Sequence, residues 1–533
     1  MLVNSLLWTL ESTLMVAAMA GDPQVHGPVD VSAGDPRGSV LYDNFLAAQG
    51  VVRASIEAHG GRKWVEGEVN FKIEIEGHHF NQGHSARPWA HRDYVLKGNV
   101  AYSGELRAFK KTESYNFNRP LNGFTVLGPK AGLVLTAGSS EVEELADKEL
   151  AARYRAELEL LPQEYLRQAL ESTEHLRLLP ASGPNDVVIY RDLEGEERAL
   201  LIDSKQHLLQ RVEHIGHWKT KGDRLEWVNF SKYEEHGGVQ VPKEVISHSE
   251  GFSSQSGSTL TLQVVDIGGP SCIEQFALPA SHKDAFPDFS HGTIEPAVHE
   301  ALPSHDLGEG VFIIDLADCD SRSMLLEFED FSVVVEGGDN SQVADRVLDT
   351  AEQLCPGKPV RYLATSHHHP LYTGGIRSYV DRGVTILTTK GNVEYLHDLI
   401  SRPYRIQPDA WQISRREPVI EVIDGLRVIE DEAQRLELHE FDSSTHTDEY
   451  VLTYVPALKL GFLGDLISSR KGEGASRAGG RTRAVYQLVQ DLGLDIQQFS
   501  QTWYLETGKM LFPFSEVEQA VRDAKAAEDS KGK

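Results

Sequence analysis

The stretch with the most chemistry in it is Ser366-His367-His368-His369-Pro370-Leu371-Tyr372-Thr373-Gly374-Gly375. Neutral imidazoles are common metal ligands and proton carriers. The stretch follows a short apolar run that reads as a strand, and in extended chain residues i and i+2 point to the same side. His367 and His369 can therefore aim at one point, while His368 points away. Gly374-Gly375 gives the backbone freedom to turn into the next helix. Two more residues fit the same centre. His446 lies in Ser444-Thr445-His446-Thr447 at the start of a strand, and Asp465 lies in Phe462-Leu463-Gly464-Asp465 just past one. All four then sit at strand ends, where α/β proteins tend to place functional groups.

The elements that must position these residues belong to the second half of the chain. Val311 to Asp315, Met324 to Phe328 and Ser332 to Glu336 read as short strands, and Ser341 to Cys355 as an amphipathic helix. Arg361 to Thr365 is the strand before the histidines. A helix (Ile376 to Asp381), a strand (Val384 to Thr388) and a helix (Val393 to Leu399) follow. Later strands are Leu426 to Ile429, Leu436 to Phe441, Tyr450 to Val455 and Lys459 to Leu463. The last helix spans Phe514 to Ala527, with a polar frayed tail from Ala526 to Lys533. Strands alternating with helices imply an α/β sandwich.

The first half reads as β-rich with a helical insertion. Val69, Phe71, Ile73 and Ile75 alternate with polar neighbours, the period of a half-buried strand. Similar runs are Asp186 to Tyr190, Ala199 to Ile202, Leu208 to His214, Trp227 to Tyr233 and Thr259 to Val265. Ser140-Glu141-Val142-Glu143 reads as a capping box opening a helix to about Leu160, and Pro162 starts a second helix to about Leu170. From Gly268 to about Pro303, Gly, Pro, Ser and His dominate and alternation disappears, as in a linker. The expected organisation is an N-terminal segment (1–40), a β-rich domain (41–267), a linker (268–303) and a second domain (304–533).

Composition narrows the class. The chain has 533 residues, 40% hydrophobic and 25% charged, with a formal charge of −28. Globular composition argues against wholesale disorder, and the acidity argues against nucleic acid as a partner. Cys272, Cys319 and Cys355 are few and far apart, which excludes a disulfide scaffold and a thiolate zinc cluster. No internal run of apolar residues is long enough for a membrane span. Leu2 to Ala20 is mostly apolar and ends Ala18-Met19-Ala20-Gly21, the form of a signal cleavage site. Glu11 lies within it, and no Lys or Arg precedes Arg37. The expectation is a periplasmic or secreted protein if this segment is cleaved, and a cytoplasmic one otherwise.

Over residues 300–530 the sequence resembles the metallo-β-lactamase-fold superfamily. The resemblance rests on the histidine motif, the Ser-Ser-Thr-His-Thr-Asp-Glu-Tyr segment and the Gly464-Asp465 that closes a strand. It implies an α+β chain whose C-terminal part is an αββα sandwich. His367 and His369 match the first two histidines of the family motif His-x-His-x-Asp-His, His446 the next histidine ligand, and Asp465 the bridging aspartate. Leu371 stands where the motif has Asp, and Tyr372 where it has the third His. No histidine occurs near Gln501-Thr502-Trp503-Tyr504, where the last is expected. A two-metal site is thereby disfavoured. Three His with an open position is a catalytic zinc arrangement, in which zinc makes a bound water nucleophilic near neutrality. Asp465 would orient that water, take its proton or ligate the metal, and Tyr372 would hydrogen-bond the substrate or an oxyanion. The implied activity is one-metal hydrolysis of an ester, lactone, thioester or amide. Two alternatives stand: a non-catalytic carrier with a degenerate site, and a mononuclear iron dioxygenase using His367, His446 and Asp465.

Other features carry plainer expectations. His78, His79, His84 and His91 fit no ligand spacing and read as a solvated loop. Trp64, Trp89, Trp218, Trp227 and Tyr233 read as core, with the option of lining a concave apolar face. Residues 45–267 resemble the curved half-barrel of outer-membrane lipoprotein-carrier-like domains, which implies a small amphipathic partner. Lys471, Arg477 and Arg481 lie in a Gly-rich stretch that could meet an anionic substrate or form a plain surface loop.

Overall fold

The computed structural model describes residues 39–269 and 302–531, apart from 66–68, 82–84, 91, 105–107, 117–119, 129–131, 137–141, 146–152, 154–156, 173–174, 193–194, 219, 250–256, 317–320, 443–445, 468–477 and 504–508. The leader-like segment, the body of the linker, Cys272, Cys319, His84, His91, Lys471, Arg477 and Tyr504 lie outside the described residues.

Residues 71–267 build one antiparallel sheet of thirteen strands. It begins at its middle. Phe71–Asn81 pairs on one side with Arg92–Ser103 and on the other with Gly257–Ile267, the last strand of the region. One arm meanders outward to Glu143–Leu145; the other starts at Arg177–Ser182 and works inward. The alternation seen in the sequence is real: Ile73 and Ile75 are buried while Glu74 and Glu76 are exposed. Helices Val40–Ala58 and Pro162–Glu171 cover the apolar face, with Val52, Ile56, Tyr165 and Leu166 packed onto Ile73, Val188 and Leu200.

Three expectations fail here. Helix Val40–Ala58 was not foreseen; its N-terminus is capped by the Ser39 side chain. The helix expected from Ser140 to about Leu160 does not include Glu143–Leu145, which pairs as a strand with Gly132–Leu135; Arg153, Glu157 and Leu158 are helical, and most of the rest of that stretch lies outside the described residues. Its two Glu side chains are exposed and Leu145 is buried, a pattern that an edge strand tolerates. His78 and His79 lie on strand Phe71–Asn81 rather than in a loop.

The C-terminal region holds two further sheets. In the seven-stranded one, Ser304–Asp306, Val311–Leu316, Ser321–Glu327 and Ser332–Val335 run antiparallel, and Val360–Ala364, Thr385–Thr389 and Ile420–Ile423 continue in parallel. The six-stranded one runs Leu426–Glu430, Arg435–Phe441, Tyr450–Val455, Leu460–Leu463, Gln498–Gln501 and Phe512–Pro513. One core joins the sheets, with Ile313, Met324 and Val333 from the first against Leu438, Val451 and Phe462 from the second. A second core packs the seven-stranded sheet against Ser341–Leu354 and its neighbouring helices. A third packs the six-stranded sheet against Gly480–Leu492 and Phe514–Lys531. The last helix continues to Lys531 through the described part of the stretch expected to be a frayed tail. Cys355 is the buried small hydrophobe expected of it, its thiol pushed up to about 11 mainly by desolvation. Among the described residues no helix is long and apolar enough to cross a membrane.

Candidate metal centre

Four strand ends meet at one place between the two C-terminal sheets. Val360–Ala364 leads into the histidine loop, His446 precedes Tyr450–Val455, and Leu460–Leu463 ends two residues before Asp465. Glu336, directly after Ser332–Val335, completes the set.

The sequence-predicted donors converge. His367 Nε2 lies 3.0 Å from His369 Nδ1 and 3.2 Å from His446 Nε2. Asp465 Oδ1 lies 3.0 Å from His446 Nε2 and 3.9 Å from His367 Nε2. All four donor atoms fall within 4.8 Å of one another. Donors around a tetrahedral zinc with bonds of about 2.1 Å sit about 3.4 Å apart, so these separations bracket what one ion needs. Among the described residues no second group of three or more such donors gathers.

Two of the donors are prepared for a cation by their surroundings. His369 Nε2 lies 2.9 Å from the Ser85 carbonyl oxygen. A carbonyl only accepts, so Nε2 carries the hydrogen and the neutral ring leaves a bare lone pair on Nδ1, facing the cluster. His367 is fully buried, and desolvation with its histidine neighbours holds its pKa well below the usual histidine range. Its Nδ1 meets Ser366 Oγ at 2.9 Å. Outer hydrogen bonds of this kind orient metal-binding imidazoles. Three buried imidazole nitrogens and one carboxylate oxygen within 4.8 Å of one another fit a divalent cation.

His368 turns away, as i+1 should. Its Nε2 is 3.3 Å from Ser85 Oγ, its ring packs edge-on to Tyr395, and burial pushes its pKa down to about 3. Gly374 and Gly375 have ordinary helical or near-helical backbones, not positive φ. They are required for close approach: a Cβ on Gly374 would run into the Asp339 carbonyl, and one on Gly375 into that of Gly337.

Aromatic rings hold His367. Tyr372 lies with its centroid 4.2 Å from the imidazole, and Tyr450 stacks at 4.8 Å. Burial raises the pKa of both phenols well above normal, so each is a neutral hydrogen-bonding group and a poor metal ligand. The Tyr450 hydroxyl accepts from the Gly464 and Asp465 amides at 2.8 and 3.0 Å and reaches Asp465 Oδ1 at 3.4 Å. Leu371 is half-buried and cannot ligate. Gln501 spends its amide on the backbone of Ile467 and Trp503, bracing the turn after Leu463.

Besides Ser85, two residues with structural weight at the site were missed. Glu336 is completely buried with φ of +70°. Its Oε1 accepts from the Ser366 amide at 3.1 Å, fixing the turn that launches His367. Desolvation pushes its carboxyl up to about 8. Tyr450 is the second; its place four residues after His446 is the one sequence signal that could have found it. Arg481 was left between meeting an anionic substrate and lying in a plain surface loop. It donates to Asp465 Oδ2 at 3.2 Å and to the Asp465 carbonyl at 3.3 Å.

No family model and no curated protein matches the sequence. Solved structures similar to it include a metallo-β-lactamase from Pontibacter korlensis, at 14% identity and a TM-score of 0.30, covering 42% of this chain and 99% of that one. Another is a metallo-β-lactamase from Pseudomonas aeruginosa in its mono-zinc form, at 15% identity and 0.31, covering 43% and 96%. A third, from Erythrobacter litoralis, stands at 16% and 0.29, covering 42% and 96%. Such distant likenesses assign no activity to this chain. None of them supports the resemblance of residues 45–267 to lipoprotein-carrier-like domains.

Proposed function

We propose that the chain is a metal-dependent hydrolase using one metal ion, zinc in the first instance, held by His367, His369, His446 and Asp465. The observation that carries this reading is the convergence of His367 Nε2, His369 Nδ1, His446 Nε2 and Asp465 Oδ1 within 4.8 Å. The same reading takes the C-terminal region as an αββα sandwich of metallo-β-lactamase type, built on the three stacked cores.

Zinc bound there supplies Lewis acidity and an activated water for attack on an ester, lactone, thioester or amide carbonyl. The residues of the chain divide the remaining work. Asp465, pinned by Arg481 on Oδ2, presents Oδ1 toward His446, where it ligates or accepts the hydrogen of the attacking water. Tyr372, held as a neutral phenol, is the candidate donor to the developing oxyanion. Ser85 and Ser366 keep the imidazoles aimed. Localisation depends on Leu2 to Ala20 with its Ala18-Met19-Ala20 end: periplasmic or secreted if that segment is cleaved and cytoplasmic otherwise, which N-terminal sequencing of the mature chain decides.

Elemental analysis of protein purified without chelator tests the core of the reading. About one zinc per chain, with carbonyl-ester or thioester hydrolysis lost to a chelator and restored by zinc, is the expected result. Iron at the same stoichiometry would replace hydrolysis by oxygenase chemistry. No retained metal after incubation with zinc, iron or manganese would sink the proposal in favour of a carrier.

A further inference from the structure

The N-terminal region does not merely precede the metal centre; a piece of it sits on the centre. Ser85 is almost completely buried. Its carbonyl takes the His369 Nε2 hydrogen bond at 2.9 Å, and its hydroxyl lies 3.3 Å from His368 Nε2. The next residue, Ala86, accepts from the Asp448 amide at 2.9 Å. Arg87 pairs through Nε with the Asp448 carboxylate. Trp89 lies edge-on to Tyr395, at 6.1 Å between centroids, and joins the core beneath the seven-stranded sheet. Trp89 holds this position with φ of +60°, a region that bulky residues seldom occupy.

Trp89 reaches helix Val393–Ser401, whose Tyr395 in turn packs against His368; the other contacts fall on the two segments that carry the histidine donors. One is the loop of His367 and His369; the other is the turn of His446, two residues before Asp448. The contacts are also unequal. The Arg87 side chain is 75% exposed and that of Asp448 42%, so their pair adds little. The Trp89 ring and the two backbone acceptors do most of the holding.

We propose that Ser85–Trp89 is a clamp belonging to the metal centre: it sets the donor atom of His369 and fixes the His446 turn, so that docking of the N-terminal region and metal binding strengthen each other. The inference rests on the one-metal reading above. Its physical basis is that a histidine whose outer hydrogen bond is lost becomes free to rotate or change tautomer, which typically weakens metal binding 10- to 100-fold. Linkage then requires the converse: metal must tighten the clamp by the same factor.

The test is zinc affinity of the full chain, measured by competition with a chromogenic chelator. Trp89→Ala should weaken zinc about tenfold or more, and Arg87→Ala by at most a few-fold. Trp89→Phe should restore most of the affinity. Histidine-labelled protein read by nitrogen–proton correlation should place the His369 hydrogen on Nε2 in the zinc-loaded wild type. In Trp89→Ala that signal should broaden or vanish, a change that a passive cover would not produce. Should Trp89→Ala fail to fold, Trp89→Leu keeps an apolar side chain on the core while removing the ring contact with Tyr395, and should weaken zinc more than Trp89→Phe does. Wild-type affinity and an unchanged His369 signal in the variants would overturn the clamp while leaving the metal reading standing. A wild type that binds no zinc would overturn both.

Discussion

Two stretches of this chain are rich in histidine, and they are built for opposite ends. His78 and His79 are successive residues of a strand and therefore face opposite sides of the sheet. His78 stays half exposed beside Asp93 at 2.9 Å, and His79 meets the edge of Tyr115. His367 and His369 are two apart, sit past a strand end, and are buried with their donor nitrogens 3.0 Å from each other. The difference lies in convergence and desolvation rather than in the number of imidazoles. A surface histidine beside an aspartate is solvated in either protonation state. A buried cluster of imidazoles and a carboxylate aims its donor atoms at one point, where one cation can take them all.

The sharpest way to break this contrast is to remove one ring from each stretch. His446→Ala or His369→Ala should take zinc from about one per chain to near zero by elemental analysis, whereas His78→Ala should leave it unchanged. Equal loss from His78→Ala would end the distinction.

The next effect concerns Glu336, buried where an exposed carboxyl would cost nothing. Its folded pKa of about 8 lies above the ordinary 4.5, so the folded chain holds this proton more tightly than the unfolded chain. Its contribution to stability is full below about pH 4.5 and is lost as the pH rises through about 8. In metal-free protein, Glu336→Gln should flatten that decline, as followed by urea unfolding at a series of pH values. Parallel pH profiles for variant and wild type would contradict the assignment.

Tyr450→Phe removes the acceptor of the Gly464 and Asp465 amides and should cost about 1–3 kcal/mol in denaturant unfolding, because buried donors are left without a partner. At the small end, His78→Ala should change stability by no more than about 0.5 kcal/mol, the usual worth of an exposed ion pair. A larger loss there would show that the first stretch is tied into the sheet more firmly than its exposure implies.

What was legible in the sequence was local. The i, i+2 spacing of His367 and His369, the outward turn of His368, and the strands on either side of them follow from periodicity. His446 and Asp465 followed from their places at strand ends, and the structure brings them to the same point. The partners that hold these donors were not legible, for a physical reason. Ser85 reaches His369 through a backbone carbonyl across 284 positions, and a carbonyl carries no residue signature. Glu336 works through burial, which one glutamate in a chain with 80 acidic residues does not announce. In the first half, strands such as Ala108–Asn116 are too polar on both faces to alternate visibly. Edge strand Glu143–Leu145 has the composition of a helix start and is made a strand only by its neighbour.

The thirteen-stranded sheet closes at its middle, because Phe71–Asn81 takes Gly257–Ile267 as a neighbour. Its first strand and its last are about 200 residues apart in the chain. At roughly 5–20 residues per second of synthesis, the first strand waits on the order of 10–40 s for that partner, with one hydrogen-bonding edge open. Pairing over such a span also closes a long loop, which makes this step slow compared with the hairpins on either arm. The segment bearing Ser85 leaves the ribosome well before the histidines it holds. The nascent chain therefore carries an open sheet edge until about half of the protein is made, and the Ser85 segment without its histidines until the last third arrives.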